Sequence, residues 1–310
     1  MTVAPDATIA SRINGAAPCA AGCTGSGQPV AGASEPVAGA ADPDAGGEDV
    51  LVLELAERAG LAGSRAATYI PYQGAGMPFQ VIQNHAGKLR HMTGGKATLP
   101  IVFVMEMTGQ TPGFAGQHSD YEIDSTYMHI PGVRTVIPST PYDAKGMMHA
   151  ALRSPDPVVY LYPAGLRMLS EEVPDEPYEV PLDKAAVRRE GTDLTLVGSG
   201  GGMPDVLDAA EQLSAAGLSV EVIDLRVLKQ MDTETLVASV AKTKRLLAVD
   251  QTYYTLGPAA EVVARCAENV EGARFRRIAF PDAPPPASPE MFKWMRPDAA
   301  RIVAAAKAMV

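Results

Sequence analysis

Cysteine is scarce in this chain: three in 310 residues, Cys19, Cys23 and Cys266, too few and too unevenly spaced for a disulfide framework. Cys19 and Cys23 lie close enough to share a metal, but no histidine or further cysteine is near them in sequence, so they are read as incidental. No apolar run approaches the roughly 20 residues that cross a bilayer, and the N-terminus has neither the basic start nor the continuous apolar core of a secretory signal. A cytoplasmic protein without a membrane partner is expected. Basic runs are also absent and the net charge is -10. Nucleic acid, held by clustered Lys and Arg, is therefore excluded as a partner, whereas a basic protein surface suits this charge. Residues 1–47 contain no Leu, no Lys and no aromatic residue. They cannot bury enough apolar surface to offset the entropy of ordering, and read as a flexible low-complexity tail.

What remains is 46% hydrophobic overall and long enough for two domains. Leu51, Leu55 and Ala59 recur at helical spacing in residues 48–63, and Gly60 or Gly63 ends that helix. A strand is expected at 67–70 and a helix over 79–91, closed by Thr93-Gly94-Gly95. Residues 99–105, LPIVFVM, read as a strand covered on both faces. A short helix over 119–129 stops at Pro131-Gly132. After a strand at 134–137, Ser139 and Thr140 supply a cap and Pro141 the first-turn proline of a helix over 142–153, which leads to a strand at 157–162. Residues 163–190, rich in Pro and acidic residues, read as an interdomain connection. The pattern then restarts, with strands at 193–197, 220–223, 246–249 and 277–280, helices at 204–216, 233–241 and 258–267, and a final helix over 297–309. This alternation implies right-handed crossovers and two parallel-sheet α/β domains. The expected division is 48–170, a linker at 171–190, and 191–310.

Several residues invite a chemical reading. GSGGGM, residues 198–203, follows a strand and opens a helix as a dinucleotide fingerprint does, and Asp224 ends the next strand where a ribose carboxylate would lie. Met203 occupies the third glycine position, however, so a tight strand-to-helix turn is the stronger reading. His118 sits in a loop with Gly113 and Gly116, beyond the carboxyl end of a buried strand, where α/β sheets place ligands and where a histidine can move a proton. His129, at the end of a helix, reads as a buried structural histidine. Asp143 and Lys145 stand at a helix start, where the macrodipole favours Asp, and Asp224 and Arg226 are expected to pair at a domain interface.

Taken together, the motifs GKLRHMTGGKATLPIVFVM, GQHSDYEIDSTYMHIPGVRTVIPSTPYDAKGMMHAALRSPDPVVYLY and VEVIDLRVLKQMDTETLVASVAKTKRLLAVD resemble the beta subunit of the thiamine-diphosphate-dependent 2-oxoacid dehydrogenases. That family includes the decarboxylating component of the pyruvate and branched-chain complexes and the related acetoin-cleaving enzymes. The resemblance runs through the His118-Ser119 pair, the His129-x-Pro131-Gly132 turn, the Ser139-to-Gly146 helix start and the Ile223-Asp224-Leu225-Arg226 strand end. It implies a transketolase-like pyrimidine-binding domain followed by a transketolase C-terminal-like domain. In the family the diphosphate of the cofactor and its Mg2+ are held by a Gly-Asp-Gly motif on an alpha subunit, and this chain has no such tripeptide. The resemblance thus implies an alpha partner in an α2β2 heterotetramer, with a lipoyl acyltransferase core as a further partner. His118 matches the histidine that faces the reacting carbonyl, and Tyr72 the aromatic ring against the aminopyrimidine.

The chain departs from the family at one place. The segment resembling Ile-Ser-Glu-Ala-Gly, whose glutamate binds a pyrimidine ring nitrogen, is missing. Counting back from Leu61 puts Asp49 at that position as the catalytic carboxylate, with Glu48 and Glu54 as cofactor-binding neighbours. Two other functions stay open at this stage: a non-catalytic assembly subunit that has lost cofactor activation, and a carboligating subunit of the acetoin or transketolase type.

Overall fold

The computed structural model describes residues 56, 58–70, 78–107, 123–286 and 288–310. Among them, two sheets form. The first has the order β1-β2-β4-β3 and is parallel throughout. Its strands are β1 (Ala66–Ile70), β2 (Ile101–Met107), β3 (Arg134–Val136) and β4 (Val158–Pro163). The second has the order β5-β7-β6-β8-β9, from β5 (Ala186–Arg189), β6 (Leu194–Gly198), β7 (Val220–Asp224), β8 (Arg245–Tyr253) and β9 (Arg274–Phe280). Only β5 runs antiparallel, against β7. The two-sheet α/β expectation holds.

Helices cover the sheets, some of them started by side-chain caps. α1 (Gly87–Met92) continues a π-turn, Val81–Ala86, so the helix expected over 79–91 is locally underwound. Residues 58–61 are helical, and the earlier part of the helix expected over 48–63 lies outside the described residues. α2 spans Ile123–Met128. In α3 (Pro141–Arg153), Thr140 caps the first turn by accepting a hydrogen bond from the Asp143 amide at 3.1 Å, with Pro141 at its start. α4 (Met203–Ala215), α5 (Thr233–Thr243) and α6 (Pro258–Asn269) belong to the second sheet. The final helix expected over 297–309 is α8 (Ala299–Lys307), and a further helix that the sequence reading did not anticipate, α7 (Pro289–Met295), precedes it. Pro297 separates them, and the Asp298 side chain caps α8 by accepting from the Arg301 amide at 3.0 Å.

His129 is exposed, one residue past α2, which corrects the buried reading. The helix cannot continue because Ile130 precedes a proline and Gly132 turns the chain at φ +81. A Cβ on Gly132 would lie 1.9 Å from the Gly87 carbonyl oxygen, so the turn is pressed against the junction of the π-turn and α1.

One buried cluster runs from Phe103 and Ile137 through Val197, Ile223 and Leu228 to Leu246. Each such aliphatic side chain contributes about 1.5–3 kcal/mol on burial. Backbone bonds stitch the same seam: the Ile137 amide donates to the Arg226 carbonyl at 2.7 Å and the Leu228 amide to the Thr135 carbonyl at 2.9 Å.

Residues within the expected linker are packed. Val180 and Leu182 join a core with Met147 and Tyr160, and Tyr178 stacks on Tyr142 with ring centroids 4.5 Å apart. Beyond them, β5 carries Arg188 into a charged cluster at the seam. Asp143 on α3 and Asp224 at the end of β7 are both fully buried. Arg188 pairs with both, lying 2.8 Å from Asp224 Oδ2. Arg226, held at φ +55, donates to Asp143 Oδ1 at 3.1 Å and to the carbonyls of Lys184 and Ala185. The Arg226 side chain therefore goes to Asp143 and only its amide reaches Asp224, at 3.3 Å, while Arg188 is shared by both aspartates and Ser139 Oγ donates to Asp224 at 2.8 Å.

Removing one partner of a buried ion pair strands its charge. Arg226→Met is expected to lower unfolding free energy by about 3 kcal/mol, read from the urea midpoint at unchanged slope; a loss below about 0.5 kcal/mol, the range of ordinary surface changes, would show the cluster to be unimportant.

Another buried carboxylate makes stability depend on pH. Asp250 on β8 is fully buried and accepts from the amides of Ala259 at 2.8 Å and Thr252 at 3.2 Å. Desolvation pushes its pKa up to about 6. Because the folded value lies above the unfolded one, its stabilising contribution is complete below the unfolded pKa and is lost as pH rises through about 6. Asp250→Asn should flatten the stability profile between the ordinary aspartate range, about 4, and about 6. Denaturant titrations at several pH values test this, and an unchanged profile counts against it.

Candidate functional site

The carboxyl ends of β1, β2 and β4 lie side by side, since β2 pairs with both neighbours in parallel. Open α/β sheets bind ligands at such an edge. Here the edge carries one buried carboxylate: Glu106, 7% exposed, next to last in an otherwise apolar strand. Tyr69 on β1 donates its hydroxyl to Glu106 Oε2, and Arg167, in the short 3-10 turn after β4, lies 2.5 Å from Oε1. The Arg167 guanidinium also sits 5.7 Å from the Tyr162 ring centroid. Desolvation and the Glu106 carboxylate together raise the Tyr69 phenol, and the same carboxylate raises Arg167. One residue before Tyr69, the Thr68 hydroxyl is buried without a hydrogen-bond partner. The face that carries Tyr69 thus offers two aromatic rings and a carboxylate, while Thr68 points to the opposite side of the sheet.

Sequence reasoning stopped the second strand at residue 105 and missed Glu106. The available signal was a single carboxylate in a run that is otherwise apolar from 99 to 107.

The expected site residues His118, Tyr72, Asp49, Glu48 and Glu54 all lie outside the described residues. Tyr72 follows the end of β1 by two positions, and His118 belongs to the segment that follows β2. β1 and β2 are adjacent, so the chain leaves the sheet toward both from neighbouring strand ends. Among the described residues no group of three or more His, Cys, Asp or Glu side chains is arranged to hold a metal, and no helix is long and apolar enough to cross a membrane.

The GSGGGM segment is a turn, with Gly200 at φ +51 and α4 starting at Met203. Met203 is buried in the core. Asp224, the residue that a nicotinamide ribose would need, is spent on Ser139 and Arg188, and nothing on this side supports a dinucleotide.

Two family models match in succession: the transketolase pyrimidine-binding domain over residues 54–167 and the transketolase C-terminal domain over residues 183–302. Pyruvate dehydrogenase E1 component subunit beta of Bacillus subtilis is 38% identical over 251 residues, 78% of this chain and 75% of that protein. The chain belongs to this family of E1 beta subunits. Within it, acetoin:2,6-dichlorophenolindophenol oxidoreductase subunit beta of Cupriavidus necator is 37% identical over 235 residues, 75% of this chain and 69% of the relative. The pyruvate dehydrogenase E1 beta subunit of Acholeplasma laidlawii is 37% identical, and the chain covers 66% of its length. The fold is shared with a split-gene transketolase, solved as an inactive beta4 tetramer, at a TM-score of 0.71 and 20% identity over 84% of this chain and 81% of that one.

The Glu106 cluster has a spectroscopic signature. Glu106→Gln keeps an acceptor for Tyr69 but removes the charge that raises its phenol. Alkaline difference absorbance, with Tyr69→Phe identifying the Tyr69 contribution, should show that tyrosine ionising at lower pH in Glu106→Gln. An unmoved titration would sink the assigned contact.

Proposed function

We propose that this chain is the beta subunit of a thiamine-diphosphate-dependent 2-oxoacid dehydrogenase component, acting in the cytoplasm with an alpha subunit in an α2β2 assembly. The observation that carries this reading is sequence identity of 37–38% over about three quarters of the chain to beta subunits of pyruvate dehydrogenase and acetoin oxidoreductase.

The described edge fits the aminopyrimidine half of the cofactor. An aromatic amine needs flat apolar walls and polar partners at its rim, and Tyr69, Tyr162 and Glu106 supply both kinds of group on one face of the strand edge. When bound, thiamine diphosphate supplies a carbon nucleophile and an electron sink for decarboxylation. This chain's own residues orient and protonate. Tyr72 packs against the ring, and Asp49, with Glu48 and Glu54 beside it, holds a proton at a pyrimidine nitrogen. His118 holds or gives a proton at the oxygen of the reacting carbonyl and assists acyl transfer to the lipoyl group of an acyltransferase core. Glu106 is a positioning residue, since both its oxygens are engaged by Tyr69 and Arg167. The diphosphate and Mg2+ belong to the alpha subunit. What supports these roles is the departure of the segments bearing Tyr72 and His118 from adjacent strand ends.

The test is co-expression with a partner carrying Gly-Asp-Gly. The complex should consume a 2-oxoacid in the presence of thiamine diphosphate and Mg2+, and His118→Ala should cut kcat by about 10²- to 10⁴-fold, the contribution of a positioned acid or base. Normal turnover by His118→Ala removes that role; a stable complex with no turnover at all removes the catalytic reading in favour of an assembly subunit.

A further inference from the structure

The second sheet has its own unused ligand position. From β6 the chain passes to β7 on one side and then to β8 on the other, and in open α/β sheets the crevice outside the carboxyl ends at such a reversal is where ligands bind. A cavity of about 190 Å³ lies there, lined by Gly200 and Gly201 after β6, Gln251 near the end of β8, Arg296 between α7 and α8, and Ser139 and Leu166 from the first-sheet side.

Two lining side chains carry buried N–H groups without acceptors. Gln251 is 6% exposed, and its Nε2 has no hydrogen-bond partner. Arg296 pairs through Nη2 with Asp205, yet its Nε is buried and unmatched. An unmade hydrogen bond of this kind is destabilising, and both deficits have the same sign: each lacks an acceptor. The N-terminus of α4, thirteen residues long, opens beside the cavity with its positive dipole end. The loop itself has no slack. A Cβ on Gly200 would lie 2.5 Å from Ile137 Cδ1, and one on Gly202 2.8 Å from Gln251 Cγ.

We propose that this crevice binds a small oxyanion, a carboxylate or a phosphate, through Gln251 Nε2 and Arg296 Nε. The cavity shares with the Glu106 cluster the turn that carries Arg167, and its ligand is small because Asp205 already answers the Arg296 charge and the cavity holds about 190 Å³. Asp205 on the far side of Arg296 also disfavours highly charged ligands.

Titration calorimetry of the full-length chain with acetate, inorganic phosphate and a phosphate monoester tests this. Saturable binding of at least one is expected, and which one binds identifies the source of the oxyanion. Gln251→Glu, which sets a second carboxylate in the place of the amide, should weaken that binding by about tenfold or more, a change of about 1.4 kcal/mol. Arg296→Lys keeps a cation for Asp205 but deletes the Nε donor, and should weaken it in the same direction. Thermal unfolding without anion shows whether each variant is folded, and either folded variant decides. No saturable binding of any of the three, or unchanged affinity in the folded variants, overturns the proposal.

Discussion

Two aspartates without solvent, Asp143 and Asp224, set the terms for the rest of the molecule. A carboxylate taken out of water is tolerated only when opposite charge and hydrogen bonds replace its hydration. Here the replacement comes from three separate parts of the chain: Arg188 on β5, Arg226 after β7 and Ser139 before α3. That requirement explains why a short polar strand is annexed to the edge of the second sheet, and why Arg226 occupies a left-handed conformation that a non-glycine residue adopts at some cost. Burial raises the Asp224 carboxyl even so, because its hydration is lost in full.

Most of the architecture could be read from the sequence because its signals are local. Thr140-Pro141 announces a helix start, and LPIVFVM can only be a covered strand. What escaped had either weak local signals or nonlocal causes. Ala186–Arg189 is too short and too charged to show a strand period, and it is a strand because β7 and the two aspartates receive it. The Arg-rich start of β9 was lost for a related reason: an edge strand with partly exposed faces accommodates arginines that a periodicity argument treats as loop. Pro-rich context hid α7, whose start is nonetheless capped by Ser288.

The candidate site was legible in a different measure. The position of the His118 loop beyond the carboxyl end of a buried strand could be anticipated, whereas the strand order that sets β2 between β1 and β4 could not. Glu106 itself went unnoticed because its meaning depends on Tyr69, 37 residues away, and on Arg167 from a turn after a third strand. Sequence alone cannot show that three separated polar residues meet. Gln251 and Arg296 pose the same difficulty in sharper form, since what marks them is a bond they do not make.

The antiparallel β5 has a consequence for how such proteins can be recombined. A chimera joined in the obvious place, the Pro-rich stretch before residue 186, would bring β5 with the second half and leave Asp143 facing a foreign arginine or none. The segment 225–229 would also have to keep its register against positions 135 and 137, whose backbone groups it pairs with. Exchange between relatives at this junction therefore succeeds only when the two aspartates and two arginines match across the parents, so the unit of inheritance is the pair of sheets rather than either one.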